Sequence, residues 1–513
     1  MNCPSIFNDV VGPVMRGPSS SHCAAALRIG RLCRDLMDGH IDDVLIEFDP
    51  KGSLATTHDG HGSDMGLFGG LLGWEAYDDR LPESEKAIQD AGITVAIEIV
   101  EIGFSHPNTY KITLKNDKET RQVVAISTGG GMIEVIEIDG ASVSMAGDYF
   151  ETLIYVQSET HVVEWIETSV EHDEVGFREG AASFVELKSQ EFPSEEICVQ
   201  LEAMDDVIAV KRLSPVLPVL SRQGLEVPFA NCEEMLRYNK DKDLALWELA
   251  VHYESARGNI TGEDVFAKMA EIVGIMQTSI NRGLEGTVYE DRILGSQSVN
   301  FERQMKDKKL IEGDVLNRVI LFVTAMMEIK SSMGVIVAAP TAGSCGALPG
   351  AVLGVALNQP EEEAVKAMLA AGIIGVFIAT NATFAAEVGG CQAECGSGSG
   401  MAAAAIVSLG AGTLGQSLSA ASMALQNSLG LICDPIGNRV EAPCLGRNVQ
   451  AAANALSCAN MALADYDHLI PLDQVIDTMD KVGESIVPEL RCTSLGGLSI
   501  TPASVEIEEQ LKR

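Results

Sequence analysis

Cys345 in TAGSCG, Cys391 in EVGGCQAECG and Cys433 in GLICDP stand on glycine-rich turns, in a stretch from Ser331 to Cys433 that holds only six charged residues. Thiolate is a soft ligand, and thiols in an apolar core beside a few polar groups (Thr341 and Ser344, Gln392 and Glu394, Asp434) suit a soft metal centre. Spacing by itself says little. The intervals are 46 and 42 residues, unlike the clustered C-x-x-C runs of ferredoxins, and a buried free cysteine commonly serves as a small apolar residue. Cys395 and Cys444 lie in the same zone, so spacing leaves open which three would be ligands.

Imidazole chemistry has to come from the other end of the chain. Only His252 and His468 fall beyond residue 226, where the pattern is helical, which excludes a Ser-His-Asp triad or an H-E-x-x-H zinc helix within that part. The run Gly17-Pro18-Ser19-Ser20-Ser21-His22 precedes an amphipathic helix. Its hydroxyls and N–H groups suit either a bound carboxylate or a plain N-cap. His58-Asp59-Gly60-His61-Gly62-Ser63-Asp64 could hold zinc, although two His and two Asp in a loop more often form a hydrogen-bonded cluster. Gly129-Gly130-Gly131 lacks the spacing of a dinucleotide fingerprint and reads as a hairpin turn.

The elements that must position these residues form an α+β chain in three parts. Residues 1–150 mix a helix (AAALRIGRLCRDLM) with strands (DDVLIEFDPKG, ITVAIEIVEI, YKITLKN, RQVVAIST, MIEVIEIDG). Residues 151–215 alternate strand and helix like a small ACT-type regulatory module that lacks the usual first-loop glycines. After the proline-marked linker SPVLPVLSRQGLEVPF, residues 226–513 read as an all-helical domain rich in Ala, Gly and Ser, which permit close packing. Three uncharged stretches reach membrane-spanning length, but Pro340, Pro349, Asn381 and Gln416 and the flanking acids Glu361 to Glu363 favour helices buried in a globular core.

Composition narrows the function. A net charge of -37, from 73 acidic and 36 basic residues, disfavours nucleic acid and acidic lipid as partners. The N-terminus has no export-signal pattern and twelve cysteines are far too few for a disulfide scaffold, so the expected compartment is the cytoplasm, with thiols free or bound to metal. A pyridoxal-phosphate enzyme would need a core lysine, and between 331 and 433 only Lys366 occurs, beside an acidic run.

Long ordered blocks carry a resemblance. PVMRGPSSSHCAAALRIGR, GSLATTHDGHGSDMGLFGGLLG and SHPNTYKITL look like the β-type region of the iron-sulfur L-serine ammonia-lyases, and AAPTAGSCGALPG, NATFAAEVGGCQAECGSGSGMAAAA, LGLICDPIGNRVEAPCLGRN and TSLGGLSITP look like the α-type region. The resemblance implies a fused single-chain enzyme, a homodimer, that converts L-serine to pyruvate and ammonia. It further implies a 4Fe-4S cluster on Cys345, Cys391 and Cys433, with Cys395 and Cys444 matching neighbouring positions. Ser19, Ser20, Ser21 and His22, with His61, Gly62, Ser63 and Asp64, match motifs expected to line the substrate pocket. Thr341, Ser344, Asn381, Arg447 and Asn448 are further expected substrate contacts. A sister lyase acting on threonine or cysteine is the alternative, because Cys23 stands where threonine is more usual; a non-catalytic iron-sulfur sensor is another. The ending EIEEQLKR carries no terminal cysteine, so a tail thiol reaching back to the cluster is not expected.

Overall fold

The computed structural model describes residues 3–157 and 161–511, so the last two residues of the EIEEQLKR ending lie outside the described residues. The chain is mixed α and β and packs into two units: residues 1–21, 129–131 and 226–513, and residues 22–128 with 132–225. The expected three parts are regrouped in two ways. The N-terminal segment belongs with the helices, and residues 151–215 share a core with the strands before them.

In the second unit, a six-stranded sheet runs in the order Thr94–Ile99, Asp43–Phe48, Thr109–Lys115, Thr120–Gly129, Met132–Ile138, Ala141–Met145. Its first pair is parallel and its next two pairs are antiparallel. Alternate residues Val44, Ile46 and Phe48 face a core closed by helices Ala25–Leu36 and Ser63–Leu71. A second, four-stranded antiparallel sheet has the order Val207–Leu213, Phe150–Val156, Phe184–Ser189, Glu174–Arg178. Of its strands, Glu174–Arg178 is the one the sequence reading did not single out, because its mixed composition hides the alternation. Helices Val162–Ser169 and Glu195–Glu202 cover one face, on Ile154, Val156, Val185 and Leu187. The other face buries Leu153, Tyr155, Phe184 and Leu213 in the same core as the six-stranded sheet.

That burial catches a charge. Glu151 lies opposite both Lys188 and Leu213, and both of its carboxylate oxygens are buried without a hydrogen bond. Burial, reinforced by the Glu186 carboxylate, holds its pKa well above the ordinary 4.5. The folded state therefore binds a proton that the unfolded chain releases, and stability falls as pH rises through the gap.

The first unit is helical apart from one small ribbon, in which Val14 and Met15 pair antiparallel with Val337 and Ile336. The N-terminal segment is anchored on both sides of this ribbon. Glu254 accepts from Ser5 Oγ at 2.5 Å and Ile6 N at 2.8 Å, Gly12 N donates to Ala338 O, and Arg16 donates to Met333 O. Helix Glu361–Asn381 is the one helix among the described residues long and apolar enough to cross a membrane. Most of it is buried, against helices Leu246–Gly258, Gly262–Glu285 and Ser397–Leu409, so protein covers its apolar surface.

A close helix approach is written in GALPGAVLG. Gly346, Gly350 and Gly354, four residues apart, face Met327, Val323 and Val319, also four apart, on helix Asp314–Ser331. A Cβ on Gly350 would lie 2.5 Å from Val323 Cγ2 and 2.8 Å from its backbone nitrogen. Glycine is needed here for space, since helix Ala347–Ala356 could not otherwise seat its ridge in the neighbouring groove.

Two outcomes are expected. Gly350→Val should destabilise the protein by about 1–3 kcal/mol or more, measured by urea unfolding. Glu151→Gln should raise the melting temperature by about 2–4 °C at pH 8, and the gain should fade as pH drops toward the ordinary carboxylate value.

Candidate active site

In the first unit, the thiol-bearing turns are held by polar side chains. Gly390, with φ +72°, breaks the chain before Cys391, which opens the π-helical turn Gln392–Gly396. Gln392 joins this turn to the segment leading to Cys433: its backbone N–H donates to Leu431 O, its Oε1 accepts from Gly430 N, and its Nε2 donates to Met479 O. Cys433 and Cys492 are stitched through their backbones, Cys433 N to Leu490 O and Cys492 N to Cys433 O, both 2.9 Å.

Asn448 fixes a further turn. Its Oδ1 accepts from Gly346 N and Ala347 N, and its Nδ2 donates to Gly343 O and Cys444 O, with Cys395 Sγ at 3.6 Å.

Cys391, Cys395, Cys433 and Cys492 share one buried cluster with Ala347, Ala386 and Ala451. Contact with Cys391, then burial, pushes the Cys395 thiol pKa up, and contact with Cys492, then burial, does the same for Cys433. Burial pushes Cys444 up to about 12, with the Cys391 charge adding to the rise and Lys330 and Arg447 opposing it. Cys345 is also pushed up to about 12 by burial, but the groups acting on it are Lys330 and Glu394, and its sulfur touches Met327 Sδ at 3.9 Å. Two of the three expected ligands, Cys391 and Cys433, are thus gathered together with Cys395 and Cys492, and Asn448 links Cys395 to the backbone of Cys444. Cys345 faces Met327 instead. Cys492 escaped the sequence reading because it lies far along the chain from the glycine-rich turns. No periodic signal marks it.

The polar positions divide. Thr341 and Ser344 are buried and bonded to one another at 3.1 Å, and Thr341 Oγ1 donates to Glu394 at 2.6 Å. Ser20 Oγ accepts from Ala342 N, so the serine run is tied to the turn before Cys345; Ser19 and Ser21 are buried beside it in sequence. Gly343 has no room for a Cβ, which would stand 2.6 Å from Glu394 Oε1. Arg447 pairs with Asp434, while its Nη1 is buried with no hydrogen-bond partner. Burial works against the Arg447 charge, but the Cys391 and Asp434 charges outweigh it and raise its pKa. Arg447 and Cys395 also line an open depression of about 520 Å³ with Gly430, Leu431 and Asn454. Asn381, exposed at a helix end, bonds its own helix at Phe377 O and lies outside this set.

Lys366 is half-buried rather than exposed, and it pairs with Glu362 and Glu363. Lys330, one residue before the charge-poor stretch, is 1% exposed, and the sequence reading did not single it out.

The second unit holds the imidazoles. His22 and His61 are fully buried, their rings edge to face with centroids 4.8 Å apart. Thr57 Oγ1 donates to Ser53 O, so it accepts from His22 Nε2 at 2.9 Å; this puts the His22 proton on Nε2 and its lone pair on Nδ1. Burial, helped by His61 and His58, holds the His22 pKa well below 6.5. Donation from His58 Nδ1 to the Asp64 carboxylate at 2.7 Å raises the His58 pKa. Gly62, at φ +86°, makes the left-handed turn before helix Ser63–Leu71, and Ser63 Oγ bonds Tyr110 OH at 2.9 Å. The loop is a hydrogen-bonded cluster. Cys23 is buried in the helix crossing, where a Cβ on Gly66 would meet Cys23 O at 2.0 Å.

The sequence matches known proteins along both regions. Residues 241–499 match the family model described as serine dehydratase alpha chain, and residues 10–104 that of the serine dehydratase beta chain. The chain is 38% identical over 285 residues to the probable L-serine dehydratase, alpha chain, of Bacillus subtilis (strain 168), covering 55% of this chain and 95% of that one. With the probable beta chain of the same organism it shares 31% over 222 residues, covering 42% of this chain and 100% of that one. With L-serine dehydratase TdcG of Escherichia coli (strain K12) it shares 27% over 516 residues, covering 94% and 96%.

Its class is therefore a single polypeptide that joins regions carried elsewhere as separate beta and alpha chains. The protein belongs to the serine dehydratase family and is an enzyme of the lyase type.

Asn448→Ala should cost at least about 2 kcal/mol of stability, measured by thermal or urea unfolding, because it leaves several buried backbone groups unpaired at once.

Proposed function

We propose that the protein dehydrates L-serine, yielding pyruvate and ammonia, with an iron-sulfur cluster held by the thiol set around Cys391. The substrate follows the relatives that carry the name L-serine dehydratase. The observation that carries the cofactor is the donor set itself. Several free thiols, none in a disulfide, are buried together in a core with few charges. Such thiols suit a soft metal, and burial keeps them protonated until one binds.

Cys391 and Cys433 are two of the donors. For the third we favour Cys444 over the sequence-expected Cys345. Cys444 feels the Cys391 charge, opens helix Cys444–Leu463 where the N-terminal dipole favours a thiolate, and has both Lys330 and Arg447 opposing the rise in its pKa. A 4Fe-4S cluster on three thiolates keeps one iron free of protein and supplies Lewis acidity for a departing hydroxyl. Arg447, with its unpaired Nη1, is suited to hold a carboxylate. In the other unit His22, held neutral by burial, has the chemistry of a general base. Ser19, Ser20 and Ser21 offer hydroxyls for the substrate's polar groups, and Asp64 orients His58. Loss of water from serine leaves aminoacrylate, which tautomerises and hydrolyses in solvent.

Anaerobically purified protein should contain iron and sulfide and release pyruvate from L-serine, and both properties should decline together in air. Cys391→Ala and Cys433→Ala should each lower iron content and turnover by more than about tenfold. Cys444→Ala should do the same and Cys345→Ala should not. Fully active protein free of iron would refute the proposal.

A further inference from the structure

Lys330 is a lysine buried to 1% exposure whose ammonium donates to one acceptor, Val440 O, and makes no ion pair among the described residues. Burying an unpaired ammonium is unfavourable by several kcal/mol, so a chain keeps one where an opposite charge arrives. Its location follows from the glycine ridge. On helix Asp314–Ser331, Val323, Met327 and Lys330 fall at positions i, i+4 and i+7, on one face. Val323 and Met327 are pressed on Gly350 and Gly346, and Met327 Sδ touches Cys345 Sγ. The next turn of that face brings the Lys330 ammonium to Val440, four residues before Cys444.

The groups that feel its charge are the Cys345 and Cys444 thiols and the Glu394 and Glu441 carboxylates. The carboxylates have other partners: Glu441 accepts from Ile293 N and Leu294 N, and Glu394 from Thr341 Oγ1. The other cation near the thiols, Arg447, is paired with Asp434. Of the two cations that act on Cys444, Lys330 is thus the one outside any ion pair among the described residues.

We propose that Lys330 is the resident counter-charge of the thiol centre, a positioning residue that holds the metal-loaded thiolates in the apolar core. The inference rests on the reading of that centre as an iron site. As each thiol takes the metal it gives its proton to solvent, and the negative charge left behind meets the fixed ammonium. The unpaired lysine of the metal-free protein thereby gains its partner.

The test compares wild type, Lys330→Met, Lys330→Gln and Lys330→Arg, reconstituted without air with ferrous iron and sulfide. Three quantities are followed: iron bound per chain, the rate at which a ferrous chelator strips it, and KM for L-serine in whatever fraction stays loaded. Stripping is expected to be tenfold faster or more in the Met and Gln variants, with Arg close to wild type and KM unchanged. Circular dichroism identifies any variant that fails to fold, and the Gln variant, polar and of similar length, guards against that outcome. Equal iron retention in folded Met and Gln variants overturns the proposal. So does a tenfold rise in KM at unchanged retention, which would make Lys330 a holder of the substrate carboxylate. Wild type that takes up no iron would refute the reading of the site itself, a different result from either.

Discussion

The glycine ridge Gly346, Gly350 and Gly354 is the constraint from which the helical unit's chemistry follows. A helix that presents no side chains along one face lies so close to its neighbour that Val319, Val323 and Met327 set its depth. That depth fixes Cys345 at the entry of one helix and Lys330 near the end of the other. It also places Gly346 N and Ala347 N where Asn448 can accept from them. A single extra methyl would push on a backbone atom, which cannot yield as a flexible side chain can. The polar site therefore inherits its geometry from an apolar contact.

Much of this was legible in the sequence, and the remainder was hidden for physical reasons. Strands such as Asp43–Phe48 and helices such as Ala25–Leu36 show their alternation or helical spacing plainly. The parting of residues 3–21 from the strands that follow was not legible, because a two-residue ribbon and short π-helical turns carry no period. Phe150–Val156 reads as an ordinary strand, and nothing local reveals that both of its faces are covered. Cys391 and Cys433 announced themselves by their glycine turns. Cys492 enters the same cluster only through a backbone bridge that joins distant segments, a relation no spacing rule encodes. Lys330 was missed because a window drawn around uncharged residues starts one position after it.

The two groups of titratable residues are tuned by opposite means. In the second unit, His22 is held neutral by burial among other imidazoles, whereas His58 is drawn toward the charged form by the Asp64 carboxylate. In the first unit burial raises the thiols, and cations act on only some of them.

Net charge of -37 seems at odds with a core that excludes charge, yet several acids enter it as backbone staples. Glu254 holds Ser5 and Ile6; Glu328 holds Gln297 and Ser298; Glu441 holds Ile293 and Leu294; Asp473 holds Cys232 N and Glu233 N at 3.0 Å, at the start of helix Cys232–Asn239. Each carboxylate satisfies N–H groups that no helix ladder reaches, through charge-assisted bonds stronger than neutral ones. Asp434 does the same for Leu498 N while pairing with Arg447, and so ties the segment after Cys433 to the stretch beyond Cys492. Through Asp434 these staples reach the thiol-bearing turns themselves.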